Sequence, residues 1–438
     1  MSVTMKDSRV PWIGIIPENW EMRKISRSFA IIGSGTTPAV TDSSFHMKGT
    51  IPWVNTGDLN DNVVSTPEKS LTVHVVQKYS TLRLYPVGTL LVAMYGATIG
   101  KIGILGVEAC TNQACCALAE PKYFGMRFIY YWFLDNRRNL VTLSYGGGQP
   151  NINQDIIRAL RVQTPAIPEQ QRIAAYLDEQ TAKIDRLMDM RRRQMALLKE
   201  QRAALIQEAV THGLNPNAPM KDSGLPWLGE IPVHWQTTRL AHHTTRIGDG
   251  LHGTPEYIDE SPYRFINGNN LSGGVVTITP STGCISEVEF QKYRVNLGEN
   301  TLLMSINGTI GSVAYYEGEL IILGKSAAYI NCAKGLSRQY LFYFLQSKST
   351  ESFFQLEVTG TTIFNLSLTT IRNLPIVLPS LDEQKQIVDF IEMRCVNLDQ
   401  IYDSYTRQLT LLTEYRAALI HECVTGQRTV PEVSRSGY

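Results

Sequence analysis

The chain has 438 residues, 43% hydrophobic and 18% charged, which excludes a disordered polymer and exceeds what one ordinary core holds. The formal net charge of +1 excludes a uniformly basic surface, so attraction for phosphates would have to come from local patches or a basic partner. Seven irregularly spaced cysteines with no CxxC pair argue against a disulfide framework or structural zinc, and fit reduced thiols.

The N-terminal segment MSVTMKDSRVPWIG has no long apolar run before a small-residue cleavage site. The apolar stretches Phe128–Leu134 and Leu320–Leu323 fall far short of the roughly 18 residues of a membrane span. A cytoplasmic protein is expected. Charge is uneven: residues 1–165 hold 16 basic and 11 acidic groups, residues 166–219 are net +1, residues 220–379 net −2 and residues 380–438 net −3.

The dominant signal is an internal repeat. DSRVPWIGIIPENW (Asp7 to Trp20) recurs as DSGLPWLGEIPVHW (Asp222 to Trp235), an offset of 215. GATIG at Gly96 meets NGTIG at Asn307, FIYYWFL at Phe128 meets YLFYFLQ at Tyr340, and EQRAALI at Glu200 meets EYRAALI at Glu414. The order is kept and the offset drifts only between 211 and 215. The chain is a tandem duplication of about 210 residues.

Each copy opens with some 160 residues rich in Gly, Pro, Thr and Asn around short β-branched runs such as Thr89–Met94 and Leu320–Ile322. Short strands, turns and one aromatic helix near Phe128 or Tyr340 are predicted there. Trp12, Trp20, Trp227 and Trp235 are expected as core anchors rather than base-stacking platforms. Past Pro165 and Pro379 the texture changes, with no Gly or Pro from Glu169 to His212 or from Ser380 to Thr425. Each tail is predicted as one helix of ~45 residues, about 65–70 Å long. The second carries a coiled-coil seam, Val388, Ile391, Cys395, Leu398, Tyr402, Tyr405, Leu409, Leu412 and Leu419; the first carries a weaker one, Ala174, Leu177, Ile184, Met188, Met195, Leu198 and Leu205. Such a stripe needs a partner, either the other copy's helix or the copy's own globular part. Arg202 and Arg416 interrupt the seam at the same place in both copies, as snorkelling residues or as a docking point.

Catalytic patterns are missing. There is no GxxxxGK[ST] loop, and Gly33-Ser34-Gly35-Thr36-Thr37-Pro38 puts Pro38 where a dinucleotide fingerprint needs glycine. Asn215-Pro216-Asn217 lacks the second proline and aromatic of an adenine-methylase motif. HExxH, GxSxG and deaminase patterns are absent. His242, His243 and His252 have no carboxylate or cysteine at ligand spacing, so no metal is expected, nor any cofactor.

Duplicated halves ending in long helices, together with the two PW-G-IP-W openings, GSGTTP at Gly33, DGLHGTPEY at Asp249, IPWVNTGDL at Ile51, FINGNNL at Phe265, the TIG loops, PAIPEQQRI at Pro165 and PSLDEQKQI at Pro379, resemble the specificity subunit of Type I restriction–modification enzymes. The resemblance spans nearly the whole chain. It implies an α+β architecture: two mixed α/β target-recognition domains joined by two long helices that pair as an antiparallel coiled coil with pseudo-twofold symmetry. The expected boundaries are a first recognition domain at 1–165, a spacer helix at 166–213, a linker and second domain at 214–379, a second spacer helix at 380–428 and a tail at 429–438. It implies a non-catalytic subunit that reads a split site in double-stranded DNA. The helices set the gap and seat two methylase subunits, and translocase–nuclease subunits join them. Pairing would run along Leu177, Ile184, Leu198, Leu205, Ile391, Leu398, Leu412 and Leu419.

Gly-rich loops let backbone approach phosphates, and Asn, Gln, Lys and Arg read base edges. The candidate DNA contacts are therefore Tyr95, Gly96, Thr98, Gly100 and Lys101, then Asn112 and Gln113, then Gly147, Gln149 and Asn151. In the second copy they are His252 and Thr254, Asn307 and Thr309, Lys325 and Ser326, and Thr361, Thr362 and Asn365. The same residue types also build structural turns. Two rival classes fit the pattern less well: a scaffold with peptide- or glycan-binding halves, and a nuclease with an unrecognised site. Salt-dependent binding of duplex DNA speaks against the first, and failure to cleave it against the second.

Overall fold

The computed structural model describes residues 4–39, 49–145, 150–357 and 365–431. The chain divides into two compact units: one is Met1–Met190 with Arg407–Tyr438, the other Arg191–Thr406. Each unit is a globular domain plus the start of one long helix and the end of the other.

In the first unit, a five-stranded sheet runs in the order Phe29–Gly33, Cys115–Pro121, Leu90–Ala93, Ile102–Leu105, Asn62–Val64. All its pairings are antiparallel except the last, which is parallel. A smaller sheet orders Cys110–Thr111, Ile51–Val54, Lys69–Leu71. The second unit repeats this plan. Its main sheet runs Thr244–Asp249, Ala327–Cys332, Thr301–Ser305, Val313–Tyr315, and its smaller sheet is Tyr257–Ile258, Cys284–Ile285, Arg264–Ile266, Ile321–Leu323. Register repeats as well: Cys115 pairs with Ala93 and, 212 residues on, Ala327 with Ser305. The central strands are apolar on both faces, as a sheet covered on two sides requires. One cover is the aromatic helix, Met126–Asp135 or Arg338–Leu345, whose rings are nearly all buried.

Each domain closes by pairing its first and last strands. Glu21–Lys24 lies against Arg161–Thr164, and Gln236–Arg239 against Pro375–Leu378. The chain then enters a long helix, Ile167–His212 (46 residues) or Leu381–Val424 (44 residues). The first begins two residues after Pro165 and holds Pro168 in its first turn, where a missing N–H costs nothing. A buried glutamine fastens each start. Gln170 donates to the carbonyls of Tyr123 (2.9 Å) and Pro165 (2.8 Å), and accepts from the Gly125 N–H (2.7 Å). Gln384 donates to Gly335 (2.9 Å) and Pro379 (3.0 Å), and accepts from Ser337 (2.8 Å). Both are fully buried. The shared PEQ and DEQ triplets are thus clamps. Left-handed Gly213 (φ +77°) and Gly426 (φ +74°) follow the helix ends, where a Cβ would press on Trp235 or Trp20.

The helices join both cores. Ile173, Leu177, Ile184 and Met188 share the first unit's core with Leu419, Ile420, Cys423 and Val424. Ile206, Ala209 and Val210 share the second's with Ile387, Val388, Ile391 and Cys395. Helix packing on its own domain alone is therefore ruled out. In the second unit, Lys199 lies over the Tyr402 ring and Arg202 beside Asp399, so numbers rise on one helix as they fall on the other. That is antiparallel pairing. Leu198, Leu205, Leu398 and Leu412 are half-buried, and Leu177, Ile184, Ile391 and Leu419 buried. Arg416 donates to Asp185 (2.9 and 3.3 Å) in the first unit, as Arg202 faces Asp399 at 3.8 Å in the second. The seam arginines have carboxylate partners on the facing helix rather than free ends.

Trp20 and Trp235 are core residues, and Trp12 and Trp227 pack on the core edges. All seven cysteines are free, and burial raises the Cys110 thiol to about 11 and that of Cys116 to about 12, so both stay protonated and apolar. No helix is long and apolar enough to cross a membrane, among the described residues.

Candidate nucleic-acid interface

The main sheet of each domain ends in a rim where several chain segments lie side by side. In the first domain, the Met94 N–H donates to the Ala114 carbonyl (2.9 Å), and the Ile152 N–H to the Met94 carbonyl (2.9 Å). In the second, Ile306 donates to Ser326 (3.0 Å) and Leu366 to Ile306 (2.9 Å). Ala114, Met94 and Ile152 therefore match Ser326, Ile306 and Leu366. Their neighbours on the outer side are Gln113, Tyr95 and Asn151 in one domain and Lys325, Asn307 and Asn365 in the other. Bridges of Tyr95 with Asn151 and of Asn307 with Asn365 confirm the register.

A fourth position completes each rim. The Gly35 N–H donates to the Asn112 carbonyl (3.2 Å) and to Thr111 Oγ1 (3.0 Å), and Thr37 Oγ1 then donates to Gln113 Oε1 (2.7 Å). In the second domain the Lys325 N–H donates to the Leu251 carbonyl (2.9 Å), which sets His252 beside Lys325. A Cβ on Gly35 or on Gly250 would enter the Thr111 or Leu323 carbonyl, so glycine is required at both. The rims read Thr37, Gln113, Tyr95, Asn151 and His252, Lys325, Asn307, Asn365. Thr37, Gln113, Tyr95, His252 and Lys325 are exposed, as is Tyr145, which also bridges to Asn151.

The fold thus gathers candidates that lie far apart in sequence. It gives others structural work. Gly100 is buried at φ +76°, and its carbonyl accepts from Arg137 Nε (3.0 Å), an arginine also paired with Asp61. Thr98 Oγ1 closes its own turn onto the Tyr95 carbonyl (2.7 Å), and Asn112 Oδ1 accepts from the Ala114 N–H (3.1 Å). Ser326 Oγ donates to Asn267 Oδ1 (3.0 Å) and accepts from the Gly268 N–H (2.9 Å). Gly96 accepts the chain from Pro150, its N–H donating to that carbonyl (2.9 Å). Lys101 Nζ reaches Asn60 (3.3 Å), and Thr254 and Thr309 are exposed on neighbouring turns. Gly147, Gln149, Thr361 and Thr362 lie outside the described residues. Thr37 and Tyr145 escaped the sequence reading. The repeat offset of 215 that sets Thr37 opposite His252 was the signal for the first.

Among the described residues no cluster of His, Cys, Asp and Glu could hold a metal. His252 is instead tied to Asp249 at 2.8 Å. Burial, and after it the neighbouring His242, lowers the pKa of His243.

The duplicated domains, one following the other in the chain, thus carry equivalent rims. The family model for the Type I restriction modification DNA specificity domain matches residues 17–193 and 255–394. The chain belongs to that family, and as a specificity subunit it is a recognition component, not a catalytic one. Two relatives from Methanocaldococcus jannaschii are similar over nearly full length. The MjaIX specificity subunit is 23% identical over 96% of both chains, and the MjaVIII specificity subunit is 20% identical over 96% of this chain and 95% of that one. The Escherichia coli EcoR124I/EcoR124II specificity subunit is 25% identical over 33% of this chain and 37% of its own. Among solved structures, a chain from work on assembly and conformational transition of the type I R-M system shares the fold with a TM-score of 0.73, at 15% identity over 94% of this chain and 99% of that one. The HsdS subunit from Thermoanaerobacter tengcongensis gives 0.52 at 16% identity over 94% and 98%.

Proposed function

We propose that each domain reads one half of a split site in double-stranded DNA through its rim, while the paired helices hold the two halves of that site a fixed distance apart. The observation that carries this reading is the equivalence of the rims. Three of the four ladder positions are built twice by the same backbone bonds and the fourth by the equivalent segment, yet the side chains differ at three of the four aligned places. A shared scaffold with exchanged polar tips is what two different half-sites need. Four positions at ~4.8 Å spacing span about 14 Å, the rise of roughly four base pairs at 3.4 Å each.

The helices supply the remaining roles. Each is rooted in one domain core and ends in the other, so their length sets the gap between half-sites, as dimer geometry sets half-site spacing in dimeric readers. The outer faces of the helices seat two methylase subunits, and restriction subunits add to that complex. The second domain carries net charge −2, so much of the phosphate attraction comes from those partners. The complex works in the cytoplasm, on the host chromosome and incoming DNA.

The test is long-read mapping of modified bases in the host genome with and without this gene. Methylation at one split motif, two short blocks around a fixed gap, should vanish with the gene. An unchanged pattern in a host that expresses the methylase would refute the proposal and favour the scaffold alternative.

A further inference from the structure

We infer that Gln113 and Lys325 are equivalent specificity residues, Gln113 selecting an adenine in one half-site and Lys325 a guanine in the other. The inference rests on the reading that the rims face DNA.

Both residues stand one step beyond the pair that closes the sheet end, Met94 with Ala114 and Ile306 with Ser326, and both are exposed. Their backbones are held by equivalent segments, and each has the next rim segment, Thr37 or His252, directly beside it. What differs is the side-chain chemistry. The Gln113 amide is oriented: its Oε1 accepts from Thr37 Oγ1 at 2.7 Å. In this orientation that bond occupies one lone pair of Oε1. The second lone pair and the Nε2 hydrogens remain for a ligand. An acceptor beside a donor matches the N6 donor and N7 acceptor of adenine in the major groove. The Lys325 ammonium offers donors only. It matches the O6 and N7 acceptors of guanine and meets a donor at adenine N6.

The other rim positions carry less of the discrimination. Asn151 and Asn365 are the same residue type at the same place, so they add no difference between the half-sites. His252 is engaged by Asp249. Gln113 opposite Lys325 is a position where the two rims differ in kind, an acceptor-and-donor amide against a donor-only ammonium.

The experiment expresses the full chain with its methylase in a host deleted for this gene and maps methylated motifs by long-read sequencing. Gln113→Lys should move one base pair of one half-site from A·T to G·C and leave the other half-site unchanged. Lys325→Gln should do the reverse in the other half-site. Gln113→Ala, a truncation of an exposed side chain, should make that one position degenerate. In duplex binding by the assembled complex, its discrimination there should fall roughly tenfold to a hundredfold. Parent motifs unchanged in all three variants would overturn the inference while leaving the two-headed reading intact. So would Gln113→Lys losing all methylation while Gln113→Ala keeps the full parent specificity. No split motif from the unaltered chain would overturn the two-headed reading, and this inference with it.

Discussion

Removing the Gln170 clamp should uncouple the first long helix from its domain. Gln170→Ala deletes one acceptor and two donors in a fully buried setting. It strands the Gly125 N–H and the carbonyls of Tyr123 and Pro165. Each buried backbone group left without a partner costs about 1–3 kcal/mol, with carbonyls toward the lower end. Water entering the vacated space recovers part of that. A loss of about 3–5 kcal/mol is expected, a large share of the ~5–15 kcal/mol that holds a domain. For a unit of this size each kcal/mol moves the midpoint by ~2–4 °C, so the first unit should melt roughly 6–20 °C lower. Gln170→Glu should fare no better, because a carboxylate cannot donate to either carbonyl and would be buried as a charge. Differential scanning calorimetry of the full chain is the assay, because two units need not melt as one. Gln384→Ala is the internal control: it should lower the second unit's transition by a similar amount and spare the first. A loss below 1 kcal/mol for both glutamine variants, or a shift of both transitions by either one, would refute the clamp argument.

The other predictions are smaller in scope. Gly35→Ala drives a methyl group into the Thr111 carbonyl and should destabilise the first unit by about 3 kcal/mol, with Gly250→Ala doing the same to the second; urea unfolding of each variant checks this. Exchanging the charges of one seam pair, Arg202→Asp with Asp399→Arg, should change stability by less than about 1 kcal/mol, because both side chains are over a third exposed. A thermal scan showing a larger loss would mean the seam depends on that pair. Leu412→Asp is the stronger seam variant: it sets a carboxylate against the first unit's core and should prevent co-purification of methylase, and normal complex formation would contradict it. Burial raises the Asp135 carboxyl above its ordinary 3.8, while His421, 3.1 Å away, pulls it down less strongly. A carboxyl raised in the folded state contributes stability that is complete below pH 3.8 and lost as pH rises through the raised value. Asp135→Asn should remove that slope from the first unit, and a stability–pH profile parallel to the parent's would contradict the assignment.

Much of this architecture was legible in sequence because of what a duplication repeats. Backbone-determined residues recur in both copies: the left-handed glycines after the helices, the glutamine clamps, and Gly35 matched by Gly250. Each satisfies a local demand that no neighbour can meet, so it marks its position twice. The helices were legible for a different reason. Forty-odd residues without Gly or Pro, carrying a 3–4 apolar spacing, leave few alternatives. The pairing of seam arginines with Asp185 and Asp399 was not legible, because it depends on which residues an antiparallel partner presents, and that register follows from both domain cores.

The rims were read only in part, and the reason is physical. A rim residue is adjacent to its neighbours through hydrogen bonds between segments some 20 to 80 residues apart, such as Gly35 to Thr111 and Met94 to Ala114. Local spacing carries no trace of such adjacency. Polarity and glycine content drew attention to the right loops, but within them they could not separate outward side chains from those that close a turn. Gln113 and Asn112 are consecutive amides, yet Asn112 Oδ1 closes a turn onto the Ala114 N–H while Gln113 is exposed. Thr98 and Ser326 likewise bond inward, and Thr37, within GSGTTP, holds Gln113. Comparing the two copies resolves what neither shows alone. Where equivalent backbone bonds carry unlike side chains, the fold does not choose the residue. Gln113 against Lys325 is such a place, exposed in equivalent turns closed by Cys115 N–H to Asn112 and by Ala327 N–H to Gly324, so a ligand outside the fold is free to set the difference.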